Sequence, residues 1–565
     1  MKLNKVSFLM LFLLLETFAL FAQEKQVTGT ITRRGMVVCA RREAADIGLS
    51  VLKKGGNAVD AAVAVEFALA VCDPEAGNIG GGGFMVMRLN DTLIISLDYR
   101  EKAPLLASRN MYLDKEGNVI QDLSRDGQLA SAVPGTVDGL ITAHSRFGKL
   151  PLSDLISPGI LMAENGFALS KQQCESLNSN KRKLSGLNGI NIPFIKETPW
   201  NPGDTVKLPE LAHTLRLILK NGREGFYSGP VAKEISETMG TSKGLISLAD
   251  LKNYHSVWRK PVSFIYKNYR IISMPPPSSG GIALAQLMGI VEHYPLADWG
   301  WNSTKTSHLL IEAERRVYAD RAVYLGDPDH IKVPAAALMK KEYLIQRMHN
   351  FDSLKATLST AVREGENPLI NESEETTHYS IVDSAGNSVA GTTTLNGGFG
   401  SFVYVKHAGF FLNNQMDDFS LKPGYPNMYG LVGGEANSIV AGKRMLSSMT
   451  PTIVEKNNKL FMVLGSPGGS TIITTVFQTL LNVIEFKMTM QEAVNASRFH
   501  HQWMPDVVQY ESGCFTPKVI SELSQKGHIL NTRSTIGRVD AILVLPDKAL
   551  EGASDLRGED SAKGY

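Results

Sequence analysis

Thr376-Thr377-His378-Tyr379-Ser380-Ile381-Val382 stands two thirds of the way along a chain of 565 residues. A polar, acidic run from Arg363 to Glu375 precedes it, with Glu364, Glu366, Glu372, Glu374 and Glu375. Such a run reads as an exposed segment open to cutting. A threonine hydroxyl inside a chain is a poor nucleophile. With the bond after Glu375 cut, Thr376 carries a free α-amine beside its own hydroxyl. That amine titrates near pH ~7.7–8.0, where a general base is effective, and the pairing of threonine with an N-terminal amine activates the hydroxyl. Glu375–Thr376 is therefore the expected cleavage site, and Thr376 the expected nucleophile and base in one residue.

From His378 onward the texture is strand-like: Tyr379 to Val382, Ser388 to Thr394, Gly409 to Leu412, Thr452 to Glu455 and Leu460 to Leu464. Ala385-Gly386-Asn387 and Lys456-Asn457-Asn458 supply hairpin turns. Ser470 to Phe486 then runs apolar at helical spacing. Upstream, Met36 to Ala40 reads as a short strand, and Arg42 to Lys53 as a helix stopped by Gly55-Gly56. Val59 to Val71 is rich in Ala and Val on every side, the mark of a helix packed on both faces. Gly80-Gly81-Gly82-Gly83 leads into strands at Phe84 to Leu89 and Leu93 to Leu97. No GK[ST] follows, and the run enters a strand, so these glycines suit close backbone packing and not a phosphate cradle. The stretch from Leu150 to Thr360 reads mostly helical, with an amphipathic helix over Ile311 to Tyr324. Strands followed by apolar helices in both halves imply an α/β fold of sheets covered by helices.

Composition narrows the function. Hydrophobic residues make up 43% and charged residues 20%, as in ordinary globular proteins. A net charge of +2, with scattered Lys and Arg, argues against nucleic acid or an anionic membrane and for a small-molecule or peptide substrate. Lys2 and Lys5, the apolar run from Val6 to Phe21 and the small Ala22 form the pattern of a secretory signal peptide over residues 1–22, although Glu16 interrupts it. Export to the periplasm or outside the cell follows. Cys39, Cys72, Cys174 and Cys514 are far apart and show no metal-ligand spacing. Cys39 and Cys72 read as buried free thiols, and one bridge stays open.

Thr376-Thr377-His378-Tyr379-Ser380, Leu412-Asn413-Asn414-Gln415-Met416-Asp417-Asp418-Phe419-Ser420, Leu446-Ser447-Ser448-Met449, Gly465-Ser466-Pro467-Gly468-Gly469-Ser470 and Arg498-Phe499-His500-His501-Gln502-Trp503 follow one another along the chain. Asp98-Tyr99-Arg100-Glu101-Lys102-Ala103-Pro104 and Val133-Pro134-Gly135-Thr136 precede them, and Gly552-Ala553-Ser554-Asp555 follows. In this order the motifs resemble the γ-glutamyltranspeptidase family of N-terminal-nucleophile hydrolases. The resemblance implies a four-layer αββα sandwich and self-cleavage into a large subunit, 23–375, and a small one, 376–565, held as a heterodimer. It implies attack by Thr376 on the γ-carbonyl of glutathione or another γ-glutamyl amide. The γ-glutamyl ester then passes to water or to an amino acid or dipeptide acceptor, without metal or organic cofactor.

By the same resemblance Arg100, helped by Ser447 and Ser448, pairs with the substrate α-carboxylate, and Asp418, Asn396 and Gln415 accept from the α-ammonium. The guanidinium fork suits a carboxylate in a way lysine does not. Thr394 supports the nucleophile. Leu421 to Gly434, with Tyr429, resembles a lid over the bound group. Gly468-Gly469, ahead of an apolar helix, offers backbone N–H groups to the oxyanion of an acyl transfer. His378, His500 and His501 lack the spaced partners of a zinc site and are expected to pack and hydrogen-bond. Met445 and Leu556 stand where the family commonly has proline. Another amidase on the same fold, or an inactive exported binding protein, are the alternatives.

Overall fold

The computed structural model describes residues 26–240, 243–362 and 376–565. Two seven-stranded sheets lie face to face. The first runs Ser561–Gly564, Met36–Cys39, Thr377–Val382, Ser388–Thr394, Gly82–Leu89, Leu93–Tyr99, Val257–Arg259. The second runs Thr30–Thr32, Leu550–Ala553, Asp540–Val544, Lys459–Gly465, Thr452–Lys456, Tyr269–Ser273, Val262–Tyr266. Every pairing within them is antiparallel. Between the sheets lies an apolar layer that includes Val38, Phe84, Val86, Ile272, Ala390, Ile453, Val463 and Ile542. Helices Arg42–Lys53 and Ala58–Cys72 cover the outer face of the first sheet, and Gly280–Val291, Thr304–Tyr324 and Ile472–Ile484 belong to the core on the outer side of the second. The arrangement is the four-layer αββα sandwich, with strands buried on both faces.

Local chemistry explains the elements that frame the centre. Asn57 caps the helix Ala58–Cys72, accepting from the N–H groups of Val59 and Asp60 while Asp60 accepts from the Asn57 N–H. Every residue of that helix is buried, as its all-round Ala and Val content requires. The glycine run is packed against backbone: a Cβ on Gly81 would lie 2.0 Å from the Thr394 carbonyl oxygen, and one on Gly83 2.4 Å from that of Thr392. No β-carbon fits there. The glycines thus allow Gly82–Leu89 to pair with Ser388–Thr394 along its full length.

The strand Thr377–Val382 sits between Met36–Cys39 from the N-terminal part of the chain and Ser388–Thr394. A cut before Thr376 would leave two pieces sharing one continuous sheet.

Three expectations need correction. The stretch from Leu150 to Thr360 contains five strands: Phe167–Ala168 and Thr205–Val206 pair with each other, Val257–Arg259 is the edge of the first sheet, and Val262–Tyr266 and Tyr269–Ser273 are the edge and next-to-edge strands of the second. They are short, and Tyr269–Ser273 is buried at every position but Arg270, so no common alternation marks them. The helix expected over Ile311 to Tyr324 spans Thr304–Tyr324 and is not amphipathic; it is buried nearly all round. Its charges are internal, as when Arg316 Nη1 donates to Glu312 Oε2 at 2.6 Å, so periodicity of charge gave the wrong face. The strand expected over Gly409 to Leu412 contracts to Phe410–Phe411, paired with Tyr404–Val405. The segments 1–22 and 363–375, including Glu375, lie outside the described residues. All four cysteines are buried and free.

Candidate active site

Thr376 immediately precedes its strand, at the end where Thr394 closes the neighbouring strand. Their hydroxyl oxygens are 3.3 Å apart, and Thr394 Oγ1 also accepts from the Asn396 N–H at 2.8 Å. Both line a cavity of about 300 Å³ with Arg100, Asn396, Gln415, Asp418, Tyr429, Ser447, Ser448 and Gly469. Segments distant in sequence therefore converge on one site. Gly468 does not line it.

Arg100, at the end of Leu93–Tyr99, is buried and points its fork at three oxygens. Nη2 donates to Asp418 Oδ2 at 2.5 Å and to the Leu446 carbonyl at 3.3 Å, and Nε to the Met445 carbonyl at 3.4 Å. The last contact uses backbone, so methionine in place of proline preserves it. Leu556 is exposed on the surface. Asp418 is heavily supported: Gln415 Nε2 donates to its Oδ2 at 2.7 Å and Asn427 Nδ2 to its Oδ1 at 3.2 Å. Gln415 thus orients the carboxylate, while its Oε1 is buried and unpartnered. Asn396 Nδ2 donates to the Asn414 carbonyl at 3.1 Å, which leaves its Oδ1 as the acceptor. Behind Arg100, burial pushes the Glu101 carboxyl up to about 7, with the Arg100 guanidinium pulling it down.

The loop expected as a lid crosses the cavity at Tyr429, whose hydroxyl donates to the Asn396 carbonyl at 2.6 Å. Gly469 is in the left-handed region at φ 52°, and a Cβ there would lie 2.3 Å from Tyr429 Cδ1. Gly468 adopts φ 133°. Neither of their N–H groups meets an acceptor among the described residues. The short 3₁₀ turn Gly469–Thr471 runs into helix Ile472–Ile484, so both donors sit at the positive end of a helix.

The histidines are held inside by hydrogen bonds. His378 Nδ1 lies 2.8 Å from Thr392 Oγ1 and Nε2 3.1 Å from Ser380 Oγ. His500 pairs with Thr474 and Gln502, and His501 with Asp506. Burial pushes His378 down to about 3. Among the described residues one group has metal-ligand spacing, His308, Glu312 and His528. It lies outside the cavity lining, and Glu312 is already engaged by Arg315 and Arg316.

Residues 44–565 match the family described as gamma-glutamyltranspeptidase. The chain belongs to that family. It is 46% identical over 531 residues to a glutathione hydrolase proenzyme of Pseudomonas aeruginosa, covering 93% of each chain. To the glutathione hydrolase proenzyme of Escherichia coli K12 it is 44% identical over 536 residues, covering 94% of this chain and 92% of the relative. Among solved structures, a cephalosporin acylase from Bacillus halodurans superposes with a TM-score of 0.85 over 96% of this chain and 98% of its own, at 24% identity. That likeness speaks for the fold.

The lining also includes Arg321, Leu431, Leu446, Met449 and Ile472, which sequence reasoning did not single out. Leu446 and Met449 flank the two serines and were within reach of that motif. Arg321 was hidden in a helix whose charges read as solvent-facing.

Proposed function

We propose that the protein is an autoprocessed γ-glutamyltransferase and glutathione hydrolase. The observation that carries this reading is a single cavity with the Thr376 hydroxyl at one end and the Arg100–Asp418 ion pair at the other. A γ-glutamyl group is a zwitterion at its α-carbon and an electrophile at its γ-carbonyl. Arg100 receives the α-carboxylate together with the Ser447 and Ser448 hydroxyls, and Asp418, Asn396 Oδ1 and Gln415 Oε1 receive the α-ammonium. Binding exchanges one internal ion pair for two intermolecular ones, so neither Arg100 nor Asp418 is left without a partner.

The chain is cut between Glu375 and Thr376 into 23–375 and 376–565, after loss of an export signal over 1–22, and the two subunits remain a heterodimer through the shared sheet. The freed α-amine of Thr376 takes the proton from its own hydroxyl as Oγ1 attacks the γ-carbonyl. Thr394 Oγ1 holds that hydroxyl in place. The Gly468 and Gly469 N–H groups stabilise the oxyanion, an interaction worth roughly 3–4 kcal/mol per donor in acyl transfer. The amine returns the proton to the departing nitrogen, and a γ-glutamyl ester remains on Thr376. Water or the α-amine of an amino acid or dipeptide then takes the acyl group, and Tyr429 screens the intermediate from above. The enzyme works in the periplasm or outside the cell. No described helix is long and apolar enough to cross a membrane.

The test combines terminal sequencing of the purified protein with turnover of γ-glutamyl-p-nitroanilide. The expected result is two fragments, one starting at Thr376, and release of p-nitroaniline that accelerates with glycylglycine. A single uncut chain, or preference for a glutaryl anilide lacking the α-amine, would overturn the reading.

A further inference from the structure

Three charged residues line the cavity: Arg100, Asp418 and Arg321. The first two neutralise one another. Arg321 is only 5% exposed and has no carboxylate within ion-pair distance among the described residues. A guanidinium stays charged in proteins and takes no proton off at working pH, so the wall carries a buried positive charge without a counter-ion. Burial pulls its pKa down, Tyr318 and Asp418 oppose that, and Arg100 adds to it. The last turn of helix Thr304–Tyr324, where Arg321 sits, offsets part of this cost through its dipole but supplies no partner.

What Arg321 does make are two hydrogen bonds to serines. Nε donates to Ser279 Oγ at 3.0 Å and Nη2 to Ser448 Oγ at 3.1 Å. Ser279 spends its own proton on the Ser447 carbonyl at 2.6 Å. Ser448 is different: its oxygen is occupied by a group that can only donate, and no acceptor for its hydrogen is found among the described residues. Its O–H must therefore point as a donor into the cavity it lines. Ser447 is polarised the same way, because its Oγ accepts from the Met449 N–H at 3.1 Å. Two oriented hydroxyl donors backed by a guanidinium form an anion-binding wall, distinct from the Arg100 fork already paired with Asp418.

We propose that Arg321 is a specificity-determining positioning residue for the α-carboxylate of the γ-glutamyl group, acting through Ser448. It fixes the Ser448 hydroxyl as a donor and adds a second positive charge behind the carboxylate that Arg100 receives. The inference rests on the γ-glutamyl reading of the same site.

The test compares two anilides that differ by one carboxylate, γ-glutamyl-p-nitroanilide and 4-aminobutyryl-p-nitroanilide, in wild type, Arg321→Met, Arg321→Lys and Ser448→Ala. The ratio of kcat/KM for the first substrate to that for the second should fall by about 10- to 100-fold in Arg321→Met, the span of a charge-assisted hydrogen bond. The fall should come mainly from KM, with Arg321→Lys recovering part of it. Ser448→Ala should lose the same selectivity, and adding Arg321→Met to it should cost little more. An equal loss on both substrates means a structural role only and overturns the proposal, as does unchanged selectivity in Ser448→Ala. The Ser448→Ala result decides the matter if Arg321→Met does not accumulate as a folded heterodimer. Failure of the wild type to turn over γ-glutamyl-p-nitroanilide would instead sink the functional reading beneath it.

Discussion

At one end of the cavity the groups are uncharged and come from two adjacent strands: Thr376 and Thr394, with Gly469 on the turn beside them. At the other end three of them are charged, Arg100, Arg321 and Asp418, beside the hydroxyls of the Ser447-Ser448 pair, and they come from distant parts of the chain. The first end needs one hydroxyl in one place, and sheet register provides it. The second must match a zwitterion, and a buried guanidinium or carboxylate is tolerated only when other elements satisfy it. Asp418 shows this, with three side chains donating to its carboxylate. On the proposed function, chemistry at the first end is local and recognition at the second is a property of the assembled fold.

The sharpest break is Thr376→Ala. It removes nucleophile and processing together, so a single uncut chain is expected on a denaturing gel, with turnover at least about 10³-fold down. Fragments of mature size from that variant would dissociate cleavage from Thr376. Arg100→Ala breaks only the recognition end. Removing one partner of a buried pair costs about 3–5 kcal/mol, so kcat/KM for γ-glutamyl-p-nitroanilide should fall by roughly 10²- to 10³-fold while the two-band pattern persists. Arg100→Lys, which keeps charge and loses the fork, should recover little. Wild-type KM in either variant would remove Arg100 from recognition.

Gly469→Ala perturbs the boundary between the ends. The new methyl would meet the Tyr429 ring in a backbone conformation that L-residues avoid, and both the oxyanion donor and the covering tyrosine would shift. A drop in kcat of about 10- to 100-fold, with a smaller change in KM, is expected from steady-state kinetics.

The smallest effect separates the ends by pH. His378, beside the nucleophile, is held neutral by burial, with its pKa at about 3. Its folded value lies below the unfolded ~6.5, so its contribution is present above that pH and is lost as pH falls toward 3. Glu101, behind Arg100, is raised to about 7. Its folded value lies above the unfolded ~4.3, so the folded state is penalised progressively as pH rises from there to 7, by at most roughly 4 kcal/mol. Melting curves of Glu101→Gln and wild type should therefore diverge in favour of the variant between pH 5 and pH 8. A difference independent of pH would show that Glu101 does not titrate in that window.

Much of this was legible along the chain. The strand Ser388–Thr394 and the helix Arg42–Lys53 carry their own periodicity and stop signals, and the expected bounds coincide with those observed. Thr376, Arg100, Asp418 and the serine pair stand in motifs, and they meet in one cavity. Illegible were the strands between Val257 and Ser273, which are short and share no common alternation, and the burial of Thr304–Tyr324. A helix rich in Glu and Arg reads as solvated because the partners that neutralise its charges, such as Asp506 for Arg315, are remote in sequence. Arg321 was lost with it.

By itself the sequence singled out a candidate nucleophile and the sheet-and-helix alternation, which are local matters of side-chain chemistry and spacing, and, through its family resemblance, the residues proposed to meet the two charges of a γ-glutamyl group. Only the tertiary structure decided that Arg100 and Asp418 face each other, that Gln415 orients Asp418, and that Arg321 stands behind Ser448. Those relations depend on which distant strands and helices are stacked together, and no local pattern encodes the direction of a buried hydrogen bond.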